Sequence, residues 1–106
     1  MDSRQVALTY RDYAALPDDG RRYEIHDGEL SVMPAPSLQH QIVSANLFRI
    51  VDGHVRSNRL GMVLFAPLDV ILTDTAIVQP DLVYLDAGRL SAASQRGIEG
   101  PPTLAV

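Results

Sequence analysis

Apolar residues recur along this chain with two different periods, and the change from one to the other divides it. From Thr9 to Leu16 the positions Tyr10, Tyr13, Ala14 and Leu16 follow helical spacing. Thr9 stands as an N-cap with Asp12 three residues on, the arrangement of a capping box, and Pro17 stops the helix. Arg22–Ile25 and Glu29–Met33 then read as short strands around His26-Asp27-Gly28, because Asp-Gly is a strong signal for a tight hairpin. Ser37 caps a long helix predicted over Leu38–Arg59. Its periodicity gathers His40, Val43, Leu47, Ile50, Val51, His54 and Val55 on one face and leaves Gln39, Asn46, Arg49, Asp52, Arg56 and Ser57 on the other. Gly53 weakens this helix slightly, and Leu60-Gly61 supplies a glycine stop signal.

Beyond Gly61 the pattern belongs to strands. Met62–Phe65, Leu68–Leu72 and Ile77–Leu85 are successive apolar runs, separated by Ala66-Pro67 and Thr73-Asp74-Thr75. Ala87–Gly97 is polar with small residues, and a short helix is expected around Leu90–Gln95. Gly100-Pro101-Pro102 makes a rigid break, and Thr103–Val106 reads as the first half of another buried strand. Helix, hairpin, long helix and then strands are α+β or α/β by pattern alone, and the expectation taken is α+β with an α/β-type core and a mixed sheet. A domain seldom stops inside an apolar strand. Residues 1–106 are therefore expected to form a single, incomplete domain: a fragment, or a chain completed by a partner.

Composition narrows the function. Of 106 residues, 46% are hydrophobic and 21% charged, the balance of an ordinary globular domain. No cysteine is present, which excludes disulfides and thiolate metal sites and makes a cytoplasmic location the expectation. Met1-Asp2-Ser3-Arg4 lacks the apolar core of a signal peptide, and no apolar run is long enough to span a bilayer, so no membrane partner is expected. The net charge of −4 argues against a protein that coats nucleic acid through a basic surface. It leaves room for an acidic site offset by a divalent metal.

The residue that fits least well is Asp81, a carboxylate inside the apolar run Ile77–Leu85. An unpaired buried charge costs several kcal/mol, roughly, unless a cation or hydrogen-bond donors meet it. Pro80, just before it, removes a ladder donor and predicts a bulge. Taken alone, Asp81 reads as a strand-end carboxylate bonded to backbone. Glu24 fits a surface residue paired with Arg22 or His26, and His40 a hydrogen-bonded histidine on an apolar helix face. Asp69 is open between pairing with an arginine, capping its strand and holding metal. Arg21, Arg22, Arg49, Arg56 and Arg59 either line a phosphate-binding groove or solvate their faces.

An ordered set of motifs changes those weights. Tyr23-Glu24-Ile25-x-x-Gly28-Glu29-Leu30, Met33-x-x-Pro36-x-x-x-His40, Gly61, Ala66-Pro67-Leu68-Asp69-Val70 and Gln79-Pro80-Asp81-Leu82-Val83 follow in order. Together, from about Thr9 onward, they resemble the signature of the Uma2 family of bacterial restriction-endonuclease-like proteins. The resemblance implies the PD-(D/E)XK fold and metal-dependent DNA endonuclease activity with Mg²⁺ or Mn²⁺. It implies Asp81 as metal ligand, Glu24 as an early acidic residue of the same site and His40 as a site histidine; Asp69 stays a weaker metal candidate on its place in an apolar strand alone. It also implies a second acidic residue immediately after the position of Val106 and a lysine further on. This chain has no lysine, all nine basic residues being arginines, and it is expected to be inactive alone. The alternative is a non-catalytic module of the same descent that forms a homodimer through the apolar strand at Thr103–Val106. A plain structural α+β domain is the third reading.

Overall fold

The computed structural model describes residues 6–106, so the Met1–Arg4 stretch read above for leader character lies outside the described residues. Helix α1 (Tyr10–Ala14) opens the fold, and the Asp12 carboxylate accepts from the Thr9 backbone N–H at 2.9 Å and from its hydroxyl at 3.3 Å. Strands β1 (Arg22–His26) and β2 (Glu29–Met33) form the expected antiparallel hairpin, with His26 opposite Glu29. The two loop residues, Asp27 and Gly28, have φ of 50° and 80°, the left-handed pair that a twisted two-residue turn requires. The tip is pinned from both sides: Gly28 N–H donates to Thr75 O and Leu8 N–H donates to Gly28 O.

Helix α2 (Leu38–Ser57) begins where the sequence places it, with Ser37 Oγ accepting from His40 N–H at 3.1 Å. Its end differs from the glycine signal. Arg59, not Gly61, takes the left-handed conformation (φ 54°), and Leu60 N–H closes the helix on Val55 O. Gly61 instead opens β3 (Gly61–Phe65) and lies hard against the backbone of Leu85, where a Cβ would sit 2.0 Å from the carbonyl oxygen. The docked face of α2 is also turned from the expected one. Val55 is buried, with Leu47, Phe48 and Val51 packed around it against Val63 and Leu82, whereas Val43 and Ile50 are exposed. Apolar residues surround the first half of α2, so periodicity alone does not choose which stripe is buried.

Strands β4 (Val70–Thr73) and β5 (Ala76–Val78) pair as a second hairpin, and β6 (Leu82–Asp86) follows. The apolar run expected as one strand, Ile77–Leu85, is therefore two strands, and they belong to different sheets. One sheet has the order β2-β1-β5-β4-β8-β7, and the other β3-β6-β9. The late elements are short: a 3₁₀ turn at Ala87–Ala92 in place of the helix expected at Leu90–Gln95, then β7 (Ala93–Ser94), β8 (Gly97–Glu99) and β9 (Leu104–Ala105). β4 and β8 run parallel, and the other pairs are antiparallel, so the first sheet is mixed.

β6 is the common wall of the core. Leu82 faces α2 with Val55 and Val63, while Val83 and Leu85 face Val70 and Ile98 of the first sheet. Both faces are apolar because both are covered, which explains the unbroken hydrophobic run at Leu82–Leu85. Ile25, Ile71 and Ile77 complete the packing beneath α1.

The two glycines beside and within α2 respond oppositely to a methyl group. Gly53 has nothing within 4 Å, so Gly53→Ala is expected to raise stability in urea unfolding by about 0.5–1 kcal/mol. Gly61→Ala, strained in φ and blocked by backbone, is expected to lower it by about 2 kcal/mol or more.

Candidate active site

The break between β5 and β6 lies at Gln79-Pro80-Asp81, and its cause is a shortage of ladder donors. Pro80 has no N–H, and the N–H of Gln79 is taken by a side chain, Glu24 Oε2, at 2.6 Å. With neither residue available to continue the ladder, the chain leaves the first sheet and enters the second. Asp81 is the first residue across. Its backbone is fixed on both sides, Ala66 N–H donating to Asp81 O at 3.1 Å and Asp81 N–H donating to Val106 O at 2.7 Å.

Gln79 is the most completely bonded residue of the region. Arg22 donates from Nε to Gln79 Oε1 at 3.1 Å and from Nη2 to Gln79 O at 2.9 Å. Gln79 Nε2 in turn donates to Tyr13 Oη at 2.7 Å and to Asp69 Oδ1 at 2.9 Å, and Tyr13 Oη donates to the same Asp69 oxygen at 2.6 Å. The partners determine which way the amide points, an arginine on its oxygen and a carboxylate on its nitrogen. Glu24, the one buried charged residue among those described, completes the group with His26 Nε2 2.8 Å from its Oε1. Burial first, and the Asp69 carboxylate second, push the Tyr13 hydroxyl far above the usual tyrosine range.

Asp81 itself points elsewhere. Its side chain is 31% exposed and lies in the wall of two adjoining clefts, of about 640 and 420 Å³. His40, from the first turn of α2, brings Nε2 to 3.0 Å from Asp81 Oδ2. His40 and Arg22 line both clefts beside Asp81. The capped start of α2 thus places the histidine, the β5–β6 break places the carboxylate, and the Gln79 clamp places the arginine.

The sequence-predicted residues therefore fall into two groups. Asp81 and His40 meet in the cleft. Glu24 and Asp69 stand behind it, joined to one another through Gln79, and neither lines either of these two clefts. Asp69 bonds to a tyrosine and an amide rather than to an arginine. Among the described residues no three His, Cys, Asp or Glu side chains stand close enough to hold a metal ion, so Asp81 is a hard oxygen donor without a second carboxylate from this set. Gln79 and Tyr13 join the site although neither has a site role by sequence alone. Tyr13 was counted on the apolar side of α1, although its hydroxyl needs a partner once buried.

The model of the family described as "Uma2: Putative restriction endonuclease" matches residues 10–106. Among solved structures, the chain is similar to "a putative nuclease belonging to DUF820 from Anabaena variabilis ATCC 29413". The TM-score is 0.70 at 16% sequence identity, covering 89% of this chain and 52% of that one. This chain thus spans about half the length of that nuclease. At such identity the likeness establishes the fold, an α+β arrangement of the restriction-endonuclease type. A comparison with curated proteins gives no match.

The Tyr13 hydroxyl carries a pH signature. A hydroxyl whose folded pKa is raised contributes stability that is complete below the unfolded value of 10.0 and is lost as pH climbs toward the folded one. Stability measured by urea unfolding is expected to fall between pH 10 and 12 through this group, in addition to other alkaline titrations. Tyr13→Phe is expected to cost about 1–2 kcal/mol near neutrality and to make that alkaline fall shallower.

Proposed function

The chain belongs to the Uma2 family across residues 10–106, and on that premise we propose that it contributes the Asp81 side of a metal-dependent DNA endonuclease site. The observation that carries the reading is the position of Asp81. A partly exposed carboxylate at a strand break, paired with a histidine and flanked by an arginine, faces a cleft large enough for a nucleotide. Restriction-endonuclease-like proteins generally use divalent metals. Asp81 would hold Mg²⁺ or Mn²⁺, and the ion, when bound, supplies Lewis-acid and water-activating chemistry at a phosphodiester.

The chain's own residues have separate tasks in this reading. His40 holds the Asp81 carboxylate in the cleft and can accept or release a proton at Nε2. Arg22 offers a phosphate its guanidinium from a clamped position. Glu24, proposed from the sequence as a ligand, acts here as a positioning residue, because its oxygens hold Gln79 and His26. With one cleft carboxylate and no lysine, the 106-residue chain by itself is expected to show no appreciable cleavage.

A second reading, a dimerising module without catalysis, is favoured by one observation: Leu38, Ile42, Val43 and Ile50 leave an exposed apolar strip on α2. Light scattering decides it. A dimer at micromolar concentration that Ile50→Asp converts to monomer supports this reading, and a monomer throughout removes it.

The nuclease reading is tested by cleavage of plasmid DNA with Mg²⁺ or Mn²⁺. A Uma2-family domain that carries these residues together with a second cleft carboxylate and a lysine is expected to cut, and Asp81→Ala in it to reduce the rate about a thousandfold or more. Equal rates for the two would overturn the assignment, as robust metal-dependent turnover by the 106-residue chain would overturn its expected inactivity.

A further inference from the structure

The larger cleft beside Asp81 is more than a charged groove. Its walls carry two phenylalanines, Phe48 from α2 and Phe65 from the end of β3, with ring centroids 4.9 Å apart and planes at 77°. Phe48 is packed into the core cluster under α2, whereas Phe65 is 63% exposed. An edge-to-face partner holds the Phe65 ring in place while leaving much of its surface to solvent. Its position relative to Asp81 is set by the β3–β6 ladder. Phe65 stands opposite Leu82, and the next residue, Ala66, donates its N–H to Asp81 O.

The charges of the same cleft run against those of the chain. The protein carries a net −4, yet the charged groups lining this cleft are Arg22, Arg49 and Asp81, with the His40 imidazole beside them. Elsewhere Arg56, Arg89 and Arg96 are matched by Asp52, Asp86 and Glu99. Arg22 and Arg49 bond only to neutral groups among the described residues, Gln79 and Asn46. An aromatic surface in the same cleft as two guanidinium groups that bond only to neutral partners matches an unpaired nucleotide. The base stacks on the ring, and the phosphates on either side of it meet the arginines. Paired bases in a duplex present no free face to such a ring.

We propose that the cleft beside Asp81 binds an unpaired nucleotide, its base stacked on Phe65 and its flanking phosphates on Arg22 and Arg49, so that the substrate is single-stranded or locally unpaired DNA. The proposal deepens the nuclease reading and rests on it for the presence of DNA at this site.

Fluorescence anisotropy of the full chain in EDTA tests it without any need for cleavage. The probes are a short labelled single-stranded oligodeoxynucleotide and the same strand fully paired with its complement. The single strand is expected to bind at least about tenfold more tightly than the duplex, and Phe65→Ala to lose about tenfold of that affinity. Phe65→Tyr, which keeps the ring, is expected to bind as the parent does, and this separates stacking from a general loss of fold. Arg49→Ala is expected to weaken binding and to make it less salt-dependent. Duplex bound as tightly as single strand, or Phe65→Ala without effect, would overturn this inference and leave the nuclease reading to the Asp81→Ala cleavage result. Absence of binding to both probes would overturn it as well. Absence of binding together with absence of cleavage by the domain used in the Asp81→Ala test would remove the nuclease reading too.

Discussion

The site depends on one hydrogen bond, from the backbone N–H of Gln79 to the buried carboxylate of Glu24 at 2.6 Å. It replaces a ladder bond. Together with the missing N–H of Pro80, it ends pairing in the first sheet at Val78, before the chain enters the second at Leu82. A charge buried at Glu24 is tolerable because both of its oxygens have partners, one on Gln79 and one on His26. The same carboxylate that stabilises the break therefore sets where Asp81 stands, immediately before the next strand. The side chain of Gln79 reinforces this by joining α1, β1 and the β4 approach through Tyr13, Arg22 and Asp69. Because the members share partners, their effects should be coupled rather than additive.

That arrangement separates support from contact. The carboxylates of Glu24 and Asp69 lie behind the wall, and Asp81, His40, Arg22 and Arg49 lie on it. Arg22 belongs to both sets, since the two bonds that hold Gln79 also hold its guanidinium at the mouth of the cleft. α2 contributes to the same cleft twice, seating Phe48 against Phe65 while its start delivers His40.

What was legible in the sequence followed from local chemistry. Asp27-Gly28 specified the hairpin because both residues accept the left-handed conformation of a tight two-residue turn, and Ser37 specified the start of α2 because its hydroxyl takes an orphan N–H. Asp81 was conspicuous as a charge in an apolar run, and the family signature raised it with Glu24 and His40. What was hidden is tertiary. Ile77–Leu85 has a continuous strand composition because both β5 and β6 are buried, so nothing in it separates two sheets except Pro80. The docked stripe of α2 was hidden because apolar side chains surround its first half, leaving Val43 and Ile50 in solvent. Gln79 drew no notice because a neutral amide does no acid–base chemistry; its importance comes from its four partners.

The central claim is that Asp81, set at the sheet crossing, is the metal-binding carboxylate of the cleft. Paramagnetic broadening by Mn²⁺ in an NMR spectrum of the chain tests it most directly, because the effect falls steeply with distance and needs no turnover. Substoichiometric Mn²⁺ should broaden the His40 imidazole and the amides around Asp81 first, and Asp81→Asn should abolish that pattern while leaving the spectrum of a folded protein. Broadening centred on another acidic cluster, or unchanged by Asp81→Asn, would contradict the account.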